Sequence, residues 1–152
     1  MDNTHKSSSL EQQETEKHIF RIVEEILGVK LENNKKIFLA DNSFTYIQPD
    51  FYSEPELIIG EIFAHIGKPK KAQDNKIAND ILKMLLLEKI TGKHFRKIIV
   101  VCDEEEQKKL QGLSALAESI RQFEIEIMKI EIDDDLRNMI LNAQKRQKMI
   151  NA

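Results

Sequence analysis

The chain has a single cysteine, Cys102, in 152 residues. One thiol excludes an internal disulfide and suits a reducing compartment, so the expected location is cytoplasmic. No apolar run reaches the roughly 18 residues that a membrane-spanning helix needs. The opening "MDNTHKSSSL" is polar and lacks the apolar core of a signal peptide. Positive charge is not in excess either: 23 Lys and Arg stand against 26 Asp and Glu, a net charge of −3. That balance argues against a protein that coats nucleic acid through an overall basic field. It leaves room for an enzyme that meets its substrate in one local cleft. There is no Gly-rich phosphate loop or Walker lysine motif, no internal repeat, and no low-complexity stretch beyond "SSS" at 7–9.

What is present fits one domain with a genuine core, spanning residues 9–152 after a disordered start at 1–8. Ser9 and Gln12 read as a capping box for a first helix. Its apolar positions Ile19, Ile22, Val23, Ile26 and Leu27 recur at helical spacing, and Gly28 marks its end. "KKIFLADNSFTYIQPDFYS" reads as two short strands around a turn at Asp41-Asn42-Ser43, and "ELIIGEIFAHIG" as a third. A helix over about 71–90 follows, stopped by Gly92. "KIIVVCD" has the continuous apolar character of a strand buried on both faces. "EEEQKKLQGLSALAESIRQF" is helical, with a break at Gly112. "IEIMKIEI" is a last strand whose apolar phase slips between Met128 and Lys129, predicting a bulge. A final helix, acidic at its start and basic at its end, closes the chain. The order α-β-β-β-α-β-α-β-α predicts an α/β fold: a mixed β-sheet flanked by helices, with an antiparallel meander followed by a right-handed parallel crossover.

Chemistry concentrates in "IQPDFYSEPELIIGEIFAHIG", residues 47–67. Strand alternation puts Leu57, Ile59, Glu61, Phe63 and His65 on one face, and Asp50 on a face with Tyr46, Gln48 and Tyr52. If these strands pair as a hairpin, Asp50 and Glu61 converge. Two carboxylates and a strand carbonyl make an open site for Mg²⁺, which prefers hard oxygen ligands and keeps waters. The plainer alternative is a solvated edge carboxylate and a glutamate paired with a lysine. On the following helix Ile77, Ala78, Ile81, Met84 and Leu85 form the apolar arc, bordered by a stripe of Gln73, Lys76, Asp80 and Lys83. A lysine in that stripe can orient a metal-bound water or neutralise phosphate charge. An ordinary helix flank with a Lys76–Asp80 pair is the alternative.

The element order and these residues resemble the PD-(D/E)xK nuclease superfamily, the restriction-endonuclease-like fold. Pro49-Asp50 looks like its first motif and Glu61-Ile62-Phe63 like its second, with Phe63 where the lysine usually stands. The resemblance covers roughly residues 15–132. It implies an α-β-β-β-α-β core with extra C-terminal α-β-α elements. It also implies a metal, Mg²⁺ or Mn²⁺, held by Asp50, Glu61 and the backbone carbonyl of Ile62. Lys76 would be the migrated lysine, supported by Gln73. The implied activity is metal-dependent phosphodiester hydrolysis of DNA, DNA being favoured over RNA, with a homodimer natural for cutting both strands. The competing expectation is a catalytically inactive module of the same fold that binds nucleic acid or a protein partner, a reading Phe63 favours.

His65 is an accessory candidate for a metal or phosphate contact, or simply a capped strand-end histidine. Glu24 or Glu25 on the first helix would add an outer metal contact. Lys68, Lys70 and Lys71 form a turn able to grip phosphates or merely to be solvated. Cys102 reads as packing. The basic tail, with Arg137, Lys145, Arg146 and Lys148 and no acid, complements the helix dipole without invoking nucleic acid.

Overall fold

A computed structural model describes residues 3–39, 44–68 and 70–150, with side chains from residue 10 onward. Helix α1 (Asn3–Leu27) precedes the short strands β1 (Glu32–Asn33), β2 (Ile37–Phe38), β3 (Tyr46–Ile47) and β4 (Phe51–Ser53). Strand β5 (Ile58–Phe63), helix α2 (Lys71–Thr91) and strand β6 (Arg96–Val101) follow. Helices α3 (Glu104–Leu110) and α4 (Ala115–Gln122), strand β7 (Ile125–Lys129) and helix α5 (Asp134–Ile150) complete the chain. Five strands form one mixed sheet in the order β1-β4-β5-β6-β7. The β1–β4 and β4–β5 pairs are antiparallel, and β5–β6 and β6–β7 are parallel.

Alternation along β5 and β6 divides the core in two. Ile58, Ile62, Ile98 and Val100 pack against Ile19 and Val23 of α1 and Leu136 and Ile140 of α5. Ile59, Phe63, Ile99 and Val101 pack against Ile77, Ile81, Met84 and Leu87 of α2, with Leu110 and Ile120 from α3 and α4. The α3–α4 break falls at Gly112, as the sequence predicts, and Ser114 caps α4 by accepting the Ala117 N–H at 3.1 Å. Gly92 ends α2 in the left-handed conformation, φ 70°, where a side chain would be strained. No helix among the described residues is long and apolar enough to cross a membrane.

Several expectations are corrected. Helix α1 begins at Asn3, so Ser9 lies inside it rather than capping it, and residues 3–8 are its first turns. The strand expected to run through Tyr46 and Tyr52 is broken. Strand β3 pairs with β2 in a separate two-stranded sheet, while β4 joins the main one. Pro49, which has no N–H for a ladder, lies in that break. The turn assigned to Asp41-Asn42-Ser43 lies outside the described residues. No bulge interrupts β7: its register with β6 is continuous from Lys97↔Ile125 to Val101↔Lys129, and the apolar phase changes because the strand ends there. The inward face of α2 holds Ile77, Asp80, Ile81, Met84 and Leu87, so Asp80 is buried and Ala78 is exposed.

Candidate metal centre

The register of β4 on β5 builds the site. Phe51 pairs with Gly60, and one step further along the ladder brings Asp50 beside Glu61. The chain turns away at Pro49, so no backbone carbonyl of β4 is left to continue the ladder. The Asp50 carboxylate takes that place, its Oδ2 accepting the Ile62 N–H at 2.7 Å. The other side of Asp50 is held as well: its carbonyl accepts the Asn33 Nδ2 at 3.0 Å and the Asn34 N–H at 3.2 Å. A carboxylate fixed by a backbone donor and by its own main chain is pre-positioned rather than free to swing.

Glu61 is half-buried on the α2 face and within hydrogen-bonding reach of the Asp50 carboxyl. Burial first, then the Asp50 charge, then that of Asp80, hold its carboxyl well above the ordinary carboxylate range. Asp80 is itself pushed up by burial, against the lowering effect of Lys76 and Lys83, with the Asp50 charge adding to the rise. Glu16, on α1, is likewise raised by burial and then by Asp50, with Lys76 and a hydrogen bond from Gln12 pulling the other way. Asp50 is therefore the common neighbour of three carboxyl groups, and Lys76 is a cation within the field of the same three. Lys76 is exposed and makes none of the direct ion pairs found among the described residues.

Gln73 caps its own helix, its Oε1 accepting the Lys70 N–H at 2.7 Å, and it lines a cavity of about 270 Å³ together with Gln12, Glu16, Phe63 and Lys76. His65 is turned to Glu106: Nδ1 lies 2.7 Å from Oε1 of that buried glutamate, and the imidazole stacks on Phe63 with ring centroids 5.7 Å apart. The strand-end histidine is thus already partnered. Ile62 contributes its N–H to Asp50. Glu24 accepts the Leu31 N–H at 2.8 Å where α1 meets β1, and Glu25 lines a separate cavity with Arg21 and Lys30. Neither lines the cavity that holds Asp50. The α1 carboxylate that does is Glu16, which shares a second cavity of about 320 Å³ with Asp50, Ile62, Asn34 and Lys17. Cys102 is buried beside the sheet, and burial, then Asp103, push its thiol up to about 12.

Glu16 and Asp80 are the two residues that sequence reasoning missed as members of the site. Glu16 follows the buried Thr15 and precedes the buried Ile19 by three residues, so the same helical periodicity marks its inward edge. Asp80 stood in the recognised stripe, but its spacing to Lys76 invited reading it as a surface pair.

The donor set fits a hard divalent cation. Asp50 and Glu61 supply carboxyl oxygens side by side, the Glu61 carboxyl keeping its proton in a cation's absence because of burial and the Asp50 charge, and no described ammonium pairs with them directly. Among the described residues no three His, Cys, Asp or Glu side chains form a ready-made metal cage, so an ion here would complete its shell with backbone oxygen and water. Comparison with protein-family models, curated proteins and solved structures finds no match to this chain.

Proposed function

We propose that this protein is a small metal-dependent nuclease of the PD-(D/E)xK type, hydrolysing phosphodiesters in DNA. The observation that carries the reading is the Asp50 carboxylate, locked at 2.7 Å on the Ile62 N–H and set beside Glu61 across the β4–β5 ladder. The mixed sheet, with its antiparallel β4–β5 pair, crossover helix α2 and parallel β6, supports a restriction-endonuclease-like core. Asp50 and Glu61 would hold Mg²⁺ or Mn²⁺, with Glu16 and Asp80 as the next carboxyls out. Such an ion polarises a scissile phosphate and lowers the pKa of a bound water.

The chain's own groups supply the rest. Lys76 lies in the field of Glu16, Glu61 and Asp80 without being consumed by a direct pair, so its ammonium is available to a phosphate oxygen or an attacking water. Gln73, one turn earlier on α2, lines the same cavity and holds the helix start in place. Phe63 fills the position of the motif lysine and is buried against His65, which closes the usual route and leaves α2 as the source of the cation. A reducing cytoplasmic setting suits the single buried thiol.

A second reading, a nuclease-fold module that binds nucleic acid or protein without cutting, is favoured by that same Phe63. The two separate in a cleavage assay on plasmid and single-stranded DNA with Mg²⁺ or Mn²⁺. Wild type is expected to cut, with Asp50→Asn and Lys76→Ala slowed by at least about a hundredfold, the scale of removing one electrostatic stabiliser. Asp50→Asn cutting as fast as wild type would show the assignment to be wrong.

A further inference from the structure

The sequence separates two groups of lysines that the fold brings together. Lys68 and Lys70 lie between β5 and α2, and Lys145 and Lys148 lie on the last turns of α5. All four line one open groove of about 680 Å³. Its walls are joined by Gln144, which accepts the Ile66 N–H at 2.7 Å and donates to the Ile66 carbonyl at 3.0 Å. This two-bond clamp fixes the end of α5 against the segment after β5, so the lysines are held on a common frame.

Two features make this more than a solvated surface. No acidic residue lines the groove among the described residues; beside the lysines its walls are amides, His65 and apolar side chains. None of the four lysines makes an ion pair with a described carboxylate, whereas neighbouring Arg146 pairs with Glu11 and Lys109 with Asp74. Four unpaired ammonium groups facing one groove repel each other, and an anion relieves that repulsion. Dipole complementation accounts for Lys145 and Lys148 at a helix C-terminus, but not for their meeting Lys68 and Lys70.

The groove adjoins the candidate metal centre. His65, Gln73, Gln144 and Gln147 line both it and the smaller cavity that reaches Glu16 and Lys76. We infer that this groove binds the sugar–phosphate backbone of a polynucleotide strand leading away from the Asp50–Glu61 centre, with Lys68 and Lys70 on one wall and Lys145 and Lys148 on the other. The inference rests on the nuclease reading for its direction, and it deepens that reading by giving the strand a path away from the centre. Phosphates spaced along a strand match cations spaced along a groove. The site is local, so the net acidity of the chain does not oppose it.

The test is fluorescence anisotropy with the full chain in EDTA, using labelled strands of one sequence as single-stranded DNA, duplex DNA and single-stranded RNA. Variants are Lys68→Ala/Lys70→Ala, Lys145→Ala/Lys148→Ala, and all four together. The control is Lys30→Ala/Lys35→Ala/Lys89→Ala/Lys93→Ala, equal in charge lost and remote from the groove. Wild type is expected to bind at least one strand type, and the strand bound most tightly identifies the nucleic acid. With each phosphate contact to a single strand contributing ~0.7 to the salt slope, losing four contacts lowers that slope by roughly 3. Between 50 and 200 mM salt, four such contacts account for a roughly 50-fold loss of wild-type affinity that the quadruple variant no longer shows.

No binding by wild type overturns the inference. So does a groove variant that binds as well as wild type, or a control that loses as much as the groove variant. Thermal unfolding of each variant checks that these exposed substitutions leave the fold intact. Cleavage with Mg²⁺ separates the two proposals: lysine-dependent binding without cutting retains the groove and removes the nuclease. Cutting by a quadruple variant that also binds normally does the reverse.

Discussion

The ring of Phe51 occupies the space where a side chain on Gly60 would stand: a Cβ built on Gly60 would come within 1.9 Å of the Phe51 Cζ. These two residues are cross-strand partners, and Phe51 is fully buried. Only glycine lets the ring lie across β5, so the pair fixes the register of β4. The next step along the ladder brings Asp50 to Glu61. A slip of one residue would turn Asp50 to the opposite face of the sheet.

Gly60→Ala is therefore expected to destabilise the fold by about 2–3 kcal/mol through overpacking, read as a lower urea midpoint. Shrinking the ring with Phe51→Leu in the same chain should recover part of that loss, because the two substitutions share one clash. A Gly60→Ala chain as stable as wild type would mean the ring does not set the register.

Glu88 and Lys97 form a largely buried ion pair. Lys97 is 2% exposed, and its Nζ donates to Glu88 Oε2 at 2.8 Å; the same oxygen accepts the Phe95 N–H at 2.8 Å. Removing Glu88 strands a buried ammonium and a backbone donor. Glu88→Ala should cost about 3 kcal/mol in chemical denaturation, and Lys97→Met distinctly less, since it removes the buried charge along with its partner. Equal losses would show that the lysine is not desolvated as described.

Strand faces and helices α2 to α5 were legible in the sequence because each carries one strong period or stop. Gly92 ended α2, Gly112 split α3 from α4, and alternation through "ELIIGEIF" put Glu61 with Ile59 and Phe63. The convergence of Asp50 on Glu61 was foreseen only as a consequence of hairpin pairing. What fixes it, Phe51 over Gly60, is a cross-strand contact that no single-strand pattern displays. Glu16 went unnoticed because the α1 segment "EQQETEKH" is polar throughout, and which of its carboxylates meets the sheet depends on where the helix docks. The sequence leaves Glu24 and Glu25 undistinguished for the same reason. The separate β2–β3 hairpin and the missing β7 bulge reflect chain breaks and ends, which hydrophobic periodicity marks poorly.

Stability should depend on pH through Glu61. Its carboxyl is held above its ordinary 4.5, chiefly by burial and then by the Asp50 charge, so the folded chain retains a proton that the unfolded chain releases. Below 4.5 both states are protonated and the group costs nothing; as the pH rises above 4.5 it increasingly opposes folding. Metal-free Glu61→Gln should thus be more stable than wild type near neutral pH, with the advantage shrinking as the pH falls through 4.5. A stability difference that stays constant with pH would contradict this. Divalent cation should reverse the order by stabilising wild type alone.

Cys102 should be inert in the native chain. Its thiol is buried and pushed up to about 12, so the thiolate is scarce at neutral pH. A thiol-specific chromogenic reagent is expected to react only as fast as the chain opens, accelerating with urea in step with unfolding. Rapid stoichiometric labelling without denaturant would contradict the packing around β6.

In the proposed mechanism Asp50 and Glu61 hold the metal, and Lys76 is the catalytic partner rather than a ligand. Calorimetric titration with Mn²⁺, paired with cleavage assays on the same preparations, tests it most directly. Wild type is expected to bind one Mn²⁺ per chain, Asp50→Asn none, and Lys76→Ala to bind Mn²⁺ fully with cleavage lost. No heat of binding in wild type at millimolar Mn²⁺, or Asp50→Asn binding as wild type does, would contradict it.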